Sequence, residues 1–205
     1  NAATTFPKPD CVNAEMTKCI REYCGNPGRS GHILSLRASE KIYECRQTLA
    51  SFFGSDKPEN VVFTMNTTYA LNLAIKSLYT PGSHVLISNM EHNSVYRPVW
   101  ELKARGEVIF DTFNVLQPTD RILAELRAKC TQNTKMLVMM HASNLCGKVF
   151  PIREIGSFCR KHGILFVVDA AQSAGVIDID MKRCFIDALC APAHKGLYGP
   201  QGLGF

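Results

Sequence analysis

The sequence has little that would organise a metal site. It contains nine cysteines but no C-x-x-C pair, and zinc and iron–sulfur centres are commonly held by closely spaced cysteines. Most of the nine fall in apolar, helix-like or strand-like contexts, where a free cysteine behaves as a small buried hydrophobe. We therefore expect packed thiols rather than metal ligands.

Other absences exclude further classes of protein. No block of five or more lysines and arginines occurs, and the net charge is only +5, so charge gives no indication of nucleic-acid binding. No apolar run approaches the length needed to span a membrane. A P-loop is disfavoured because the chain has no G-x-x-x-x-G-K-[ST] string. The odd number of cysteines and the lack of a signal sequence favour a cytoplasmic location.

The 205 residues do contain an alternation of strand-like and helix-like segments. Such alternation predicts an α/β fold with a mainly parallel sheet and helices on its faces, a three-layer α/β/α arrangement. The chain starts at Asn1 without a methionine and stops within a strand-like segment at 202–205, so we expect a fragment. Predicted strands cover residues 61–63, 84–88, 107–111, 136–140, 164–168 and 186–190, and predicted helices cover residues 10–24, 34–52, 69–78, 95–105, 119–129 and 152–162.

Two strand-like segments lead towards groups with a defined chemistry. An unbroken apolar run at 164–168 precedes Asp169, and a second apolar segment at 186–190 leads towards Lys195. In open α/β sheets, ligands bind just outside the carboxyl ends of the strands. A pyridoxal phosphate enzyme needs a lysine for its Schiff base and an acid facing the pyridinium nitrogen. The pair Asp169 and Lys195 therefore predicts a pyridoxal phosphate site.

Polar residues also follow the other strands. Thr67 and Thr68 open a predicted helix, where free N–H groups can bind a phosphate, although a plain threonine cap is the favoured explanation when they are taken alone. His92 suits stacking on an aromatic cofactor ring, or else a capping or surface role. Asn144 suits a hydrogen bond to the ring or to a substrate carboxylate, or else to its own turn. Their positions at successive strand ends favour one common site.

Six motifs together resemble the class V aminotransferase-fold group of pyridoxal phosphate enzymes, and within it the cysteine desulfurase and selenocysteine lyase-like proteins. The resemblance runs in order through the whole chain. The motifs are Asn1-Ala2-Ala3-Thr4-Thr5, Asn26-Pro27-Gly28, Met90-Glu91-His92-Asn93-Ser94, Ser143-Asn144, Asp169-Ala170-Ala171-Gln172 and Ala193-His194-Lys195.

The resemblance implies a role for each matching residue. Lys195 would hold pyridoxal phosphate as a Schiff base and shuttle the Cα proton, and Asp169 would pair with the ring nitrogen. His92, counted with Lys195 as catalytic, would stack on the ring. The remaining expected contacts are Gln172 and Asn144 at the phenolate side, Thr67, Thr68 and His194 at the phosphate, and residues 1–5 and 25–32 at the substrate entrance or a partner subunit.

The resemblance also implies an organisation. Residues 1–32 would form an N-terminal segment with the substrate-entrance loop, and residues 33–205 the cofactor-binding large domain of a type I pyridoxal phosphate transferase. The small domain, the nucleophilic cysteine and the carboxylate-binding arginine would lie beyond Phe205, so the fragment alone would be inactive. Cys146, near the expected site, is expected to be a packed loop residue. Expected partners are an amino-acid substrate such as L-cysteine, a second copy of the chain and a sulfur-acceptor protein, with no nucleic acid and no membrane.

Two positions depart from the family pattern. Pro192 stands where many desulfurases have a serine whose hydroxyl binds the phosphate, and proline offers no donor. Tyr69 stands where many relatives have a glutamate. Three alternatives stay open: a transaminase or lyase on the same fold, a non-catalytic binding module that has lost the cofactor, and the less favoured P-loop phosphate binder.

Overall fold

The computed structural model describes residues 3–29 and 31–205, and the expectations for Asn1, Ala2 and Ser30 lie outside the described residues. The described helices are α1 (Asp10–Lys18), continued by a π-helix (Cys19–Tyr23), α2 (Ile33–Phe52), a 3-10 turn (Pro58–Asn60), α3 (Thr67–Leu78), α4 (Asn93–Ala104), α5 (Thr119–Lys129) and α6 (Ile152–His162). The strands are β1 (Ser83–Ser88), β2 (Val108–Phe113), β3 (Thr134–Met140), β4 (Leu165–Asp169) and β5 (Ala188–Cys190).

These five strands form one sheet in the order β2-β1-β3-β4-β5, and every neighbouring pair is parallel. Parallel neighbours need crossover connections, and α4, α5 and α6 lie in the connections from β1 through to β4, whereas turns alone join β4 to β5. The register places Met140 beside Asp169 and Asp169 beside Cys190. The carboxyl ends of β3, β4 and β5 therefore meet at one edge of the sheet.

Successive side chains of the central strands point to opposite faces, and each face is covered by helices. One apolar cluster joins alternate strand residues such as Leu137 and Phe166 to α5 and α6, and a second joins Val138 and Val167 to α3 and α4. Strands that are buried on both faces explain the continuous apolar runs in the sequence. The predicted three-layer α/β/α fold is confirmed.

One predicted strand is wrong. Residues 61–63 join no ladder, although Val61 has an extended backbone, and Val62 is 52% exposed. The backbone pairing here is limited to Thr64, which exchanges two hydrogen bonds of 2.8 Å with Gly204 in an antiparallel bridge. Apolar β-branched residues favour an extended backbone, but a ladder also needs a partner alongside them.

The expectation of packed cysteines is also wrong for much of the chain. All nine thiols are free, but Cys159 and Cys190 alone are buried, while Cys11, Cys24, Cys45 and Cys146 are exposed. Cys45 is exposed because it lies on α2, whose apolar stripe is largely in contact with solvent. Leu36 and Phe52 of this stripe are 54% and 56% exposed. Among the residues that the structure describes, no helix is both long and apolar enough to cross a membrane.

Candidate active site

The eight residues predicted for the site line one cavity of about 300 Å³. They come from four places at the carboxyl edge of the sheet and from the start of α3. The lining residues from the prediction are Thr67, Thr68, His92, Asn144, Asp169, Gln172, His194 and Lys195, and those that the prediction did not assign to it include Asn66, Ser94, Met140, Ala142, Ala171 and Pro192.

Asp169 ends β4 and is only 4% exposed. Its Oδ1 accepts a hydrogen bond of 2.9 Å from the N–H of Ala171. Burial raises the pKa of this carboxyl above its ordinary value, while the Ala171 N–H, His92 and Lys195 oppose that rise. A buried acid of this kind favours its charged form when a cation lies against it. The cavity floor is therefore suited to a cationic ring atom.

Lys195 reaches the same cavity from the segment that follows β5. Burial lowers the pKa of its amine below the ordinary value, and Asp169 partly offsets that change. A less basic lysine has a larger neutral fraction, which is the nucleophilic form. The carboxylate and the amine are thus close enough to affect each other electrostatically, as one bound ring between them would require.

An N-terminal strap, residues 3–8, fixes the backbone that carries this lysine. The carbonyl of His194 accepts hydrogen bonds from Thr5 N (3.0 Å), Thr4 Oγ1 (3.1 Å) and Lys8 Nζ (2.7 Å). The Thr5 hydroxyl also donates to the carbonyl of Lys195. Ala3 lines the cavity itself. The strap was expected at the entrance, but its hold on the lysine backbone was not predicted.

His194 is held beside the cavity by the same strap. Its Nδ1 lies 3.1 Å from Thr4 Oγ1, and burial, with further effects from Lys195 and Lys8, lowers the pKa of the imidazole. The ring is therefore mainly neutral at pH 7. A neutral imidazole donates one hydrogen bond into the cavity from Nε2 when Thr4 turns its hydroxyl hydrogen from the carbonyl of His194 to Nδ1.

The start of α3 supplies the anion-binding geometry. Asn66 caps the helix, because its Oδ1 accepts from the N–H of Tyr69 at 3.0 Å, so neither threonine is the cap. Thr67 is buried and Thr68 is exposed, and both line the cavity. The first N–H groups of a helix have no partner within the helix and attract anions. Tyr69 is 56% exposed and does not line the cavity.

His92 caps a helix and also lines the cavity. As the cap of α4, its Nδ1 accepts from Ser94 N at 3.1 Å and lies 2.8 Å from Ser94 Oγ. Its ring also lines the cavity. The cap fixes the orientation of the imidazole without using Nε2, which leaves the ring face and that nitrogen for a ligand.

The loop after β3 differs from expectation at one residue. Asn144 and its neighbour Ala142 line the cavity, and Ser143 Oγ accepts from the backbone N–H groups of Leu145 and Cys146. Cys146 is exposed rather than packed. A hydrogen bond with Ser143 and the nearby Lys148 lower the pKa of its thiol.

Pro192 is buried in the cavity wall and can donate no hydrogen bond, as its chemistry requires. Loop 25–32, also expected at the entrance, contributes none of its described residues to the lining. The described part of the loop instead packs on the start of α2, where Ser35 Oγ donates to the carbonyl of Asn26 at 2.8 Å.

Relatives with the same sequence pattern are cysteine desulfurases. A probable cysteine desulfurase of Methanothermobacter thermautotrophicus is 35% identical over 210 residues, which cover 100% of this chain and 51% of the relative. The cysteine desulfurase IscS of Neisseria meningitidis is 35% identical over 207 residues, covering 98% of this chain and 50% of the relative. The chain thus spans about half the length of the curated relatives it matches.

Solved structures agree with this fold. The apo structure of a cysteine desulfurase from Thermococcus onnurineus NA1 superposes with a TM-score of 0.89 at 30% identity, over 100% of this chain and 51% of that one. SspA in complex with cysteine superposes with a TM-score of 0.85 at 32% identity, over 99% and 58% of the two chains. The model of the aminotransferase class-V family matches residues 1–205. With its parallel sheet and its lysine and aspartate at neighbouring strand ends, this chain belongs to the class V aminotransferase family.

Proposed function

We propose that this chain carries the cofactor half of a pyridoxal phosphate-dependent cysteine desulfurase. The observation that carries the proposal is that Asp169 and Lys195, from neighbouring strand ends, line one cavity and act on each other's charge. The substrate class is supported by the names of the relatives and by the solved structure of SspA with cysteine.

The residues present fit pyridoxal phosphate. The cavity volume of about 300 Å³ is at the small end of the range for ligand sites. Asp169 would face the ring nitrogen, Lys195 would attach covalently, and the start of α3 with His194 would hold the phosphate. Gln172 and Asn144 would address the phenolate side. Because Pro192 offers no hydroxyl, we propose that the helix N–H groups carry more of the phosphate contact than in relatives with serine there.

When bound, this cofactor supplies an electron sink for the bonds at the substrate Cα. The work of the protein is to control charge and protons around it. Asp169 would keep a negative charge beside the ring nitrogen, and the Lys195 Nζ, made less basic by burial, would take and return the Cα proton. His92, fixed by Ser94, would cover the ring and keep water from that face.

The overall reaction transfers one sulfur atom. L-cysteine and an acceptor thiol give L-alanine and a persulfide, so one C–S bond breaks and one S–S bond forms. An excess of a second thiol then releases the sulfur as sulfide, with formation of a disulfide. The acceptor cysteine, the carboxylate-binding arginine and the small domain stay predictions for the segment beyond Phe205.

The test is Lys195→Ala, with Lys161→Ala as a matched control on the exposed end of α6. After incubation with pyridoxal phosphate and borohydride reduction, we expect covalent cofactor on the wild type and the control, and none on Lys195→Ala. In the longer protein, alanine and sulfide from cysteine should disappear with the same substitution. Covalent cofactor on Lys195→Ala would refute the assignment, and alanine-free turnover of another amino acid would favour a class V transaminase or lyase.

A further inference from the structure

Glu91 joins the ends of two neighbouring strands. Its Oε1 accepts a hydrogen bond of 2.8 Å from the N–H of Met140, the last residue of β3. The same oxygen accepts from the hydroxyl of Ser88, the last residue of β1. One carboxyl group therefore ties together the two strand ends on which the cavity is built.

Both strand ends lead directly to the active site. His92 follows Glu91 in the chain and lines the cavity, and Met140 lines it as well. Met140 is also in register with Asp169 on the adjoining strand. Because Glu91 holds the loop that carries His92 against the strand beside Asp169, its side chain sets the separation of these two residues across the cavity.

The second oxygen of Glu91 has a different environment. Oε2 is buried and has no hydrogen-bond partner among the described residues. Burial raises the pKa of the carboxyl, the hydrogen bond from Ser88 opposes the rise, the nearby Asp169 adds to it and the Met140 N–H opposes it, and the pKa is raised to about 8 as a result. Of the elements packed against Glu91, β4 contributes a charged group, Asp169, while β1 and β3 contribute a hydroxyl and an amide.

We propose that Glu91 is a positioning residue of the active site, whose carboxyl ties the loop that carries His92 to the end of the strand beside Asp169 and so fixes His92 relative to Asp169. This carboxyl is protonated at neutral pH, and when it ionises in alkaline solution it adds a second negative charge beside Asp169. The proposal rests on the proposed function insofar as Asp169 faces a cationic ring. The proposal predicts that glutamine, which is neutral and similar in shape, preserves the function of Glu91 at neutral pH, whereas alanine does not.

The first measurement needs no cofactor. Infrared difference spectra between the wild-type chain and Glu91→Gln should contain the carbonyl stretch of a protonated acid two pH units below the Glu91 pKa. That stretch should be gone two units above the pKa. Glu154→Gln, on an exposed site of α6, is the control for the substitution itself. Absence of the protonated signal for Glu91 would overturn the proposal even if pyridoxal phosphate binds.

The second measurement follows the visible absorbance of bound pyridoxal phosphate against pH. The wild type should show an alkaline inflection near the Glu91 pKa, because a second charge beside Asp169 strengthens the hold on the ring proton. Glu91→Gln should lose the inflection and keep its cofactor affinity at neutral pH. Glu91→Ala should bind about tenfold more weakly, because the Met140 N–H is left unpaired. An inflection retained in Glu91→Gln would overturn the proposal, whereas a complete failure of all variants to bind cofactor would instead refute the proposed function.

Discussion

Gly175→Ala tests whether one backbone contact keeps Asp169 and Lys195 in the same cavity. Gly175 lies in the turn that follows Asp169, and Gly196 directly follows Lys195. A Cβ on Gly175 would stand 2.5 Å from the carbonyl oxygen of Gly196, and a Cβ on Gly196 would stand 2.4 Å from that of Ala174. The backbones of the two segments are therefore in direct contact, and neither glycine position has room for a Cβ atom.

The expected loss of stability has two parts. Gly175 has φ of +79°, and an alanine in that region costs about 1–2 kcal/mol. Separating the two backbone segments to admit a methyl group costs a further amount of about 1–3 kcal/mol. The total is smaller than the stability of a typical domain, about 5–15 kcal/mol, so the variant should fold with the lysine segment displaced.

Gly82→Ala is the matched control. Gly82 has φ of +73°, but a Cβ there would meet nothing within 4 Å, so this variant has the same backbone strain without the contact. Urea unfolding should show Gly175→Ala to be less stable than Gly82→Ala by about 1–3 kcal/mol. Borohydride-trapped cofactor should fall in Gly175→Ala and not in Gly82→Ala. Equal stability and equal cofactor attachment in the two variants would refute the reasoning.

Three further predictions concern charge and hydrogen bonding at the site. Asp169→Asn keeps an acceptor for the Ala171 N–H but loses the negative charge, so sulfide production by the longer protein should fall at least about 100-fold while cofactor attachment to Lys195 persists; unchanged turnover would contradict the role given to the carboxylate. Thr5→Val removes the donor to the Lys195 carbonyl and should lower the free energy of unfolding by about 1 kcal/mol in urea titrations, whereas Thr48→Val on the exposed face of α2 should change it little. The pKa of Glu91 is raised on folding to about 8, so between its ordinary value and 8 the folded chain binds a proton that the unfolded chain has lost. Wild-type stability should therefore decrease with pH across this window by up to about 1.4 kcal/mol per pH unit relative to Glu91→Gln, and parallel curves for the two proteins would show that Glu91 is ionised in the folded state.

The sheet and its site were predictable where the signal is local. Apolar runs next to turn residues predicted β3 and β4. Helical periodicity, flanked by helix-breaking residues, predicted α5 and α6 with the observed bounds. Since parallel strands end at one edge, placing Asp169 and Lys195 on neighbouring strands was enough to place them in one cavity. The strand predicted at 61–63 was wrong because these residues have no strand alongside them, and the bridge to the distant Gly204 is made by Thr64 instead.

The contacts that fix the site were not predictable for the same physical reason. Thr5 and Lys195 are 190 residues apart in the chain. A pattern of apolar residues in the sequence cannot predict a hydrogen bond over that separation. Glu91 was missed because a glutamate between polar residues is typical of an exposed loop. Its one available signal was its position within a strand-end segment beside His92, where a carboxylate has little access to water.

The backbone at Lys195 is held from two independent directions, and this determines how the lysine can act. On one side Thr5 and Lys8 bind the carbonyls of His194 and Lys195, and on the other Gly175 contacts Gly196. A backbone fixed in this way cannot follow a substrate. Movement of the amine between the cofactor and a Cα proton must therefore come from rotation about the side-chain bonds of Lys195 alone. Since each attachment lies in a different segment of the chain, loss of either one should loosen the lysine while the buried sheet beneath it stays intact.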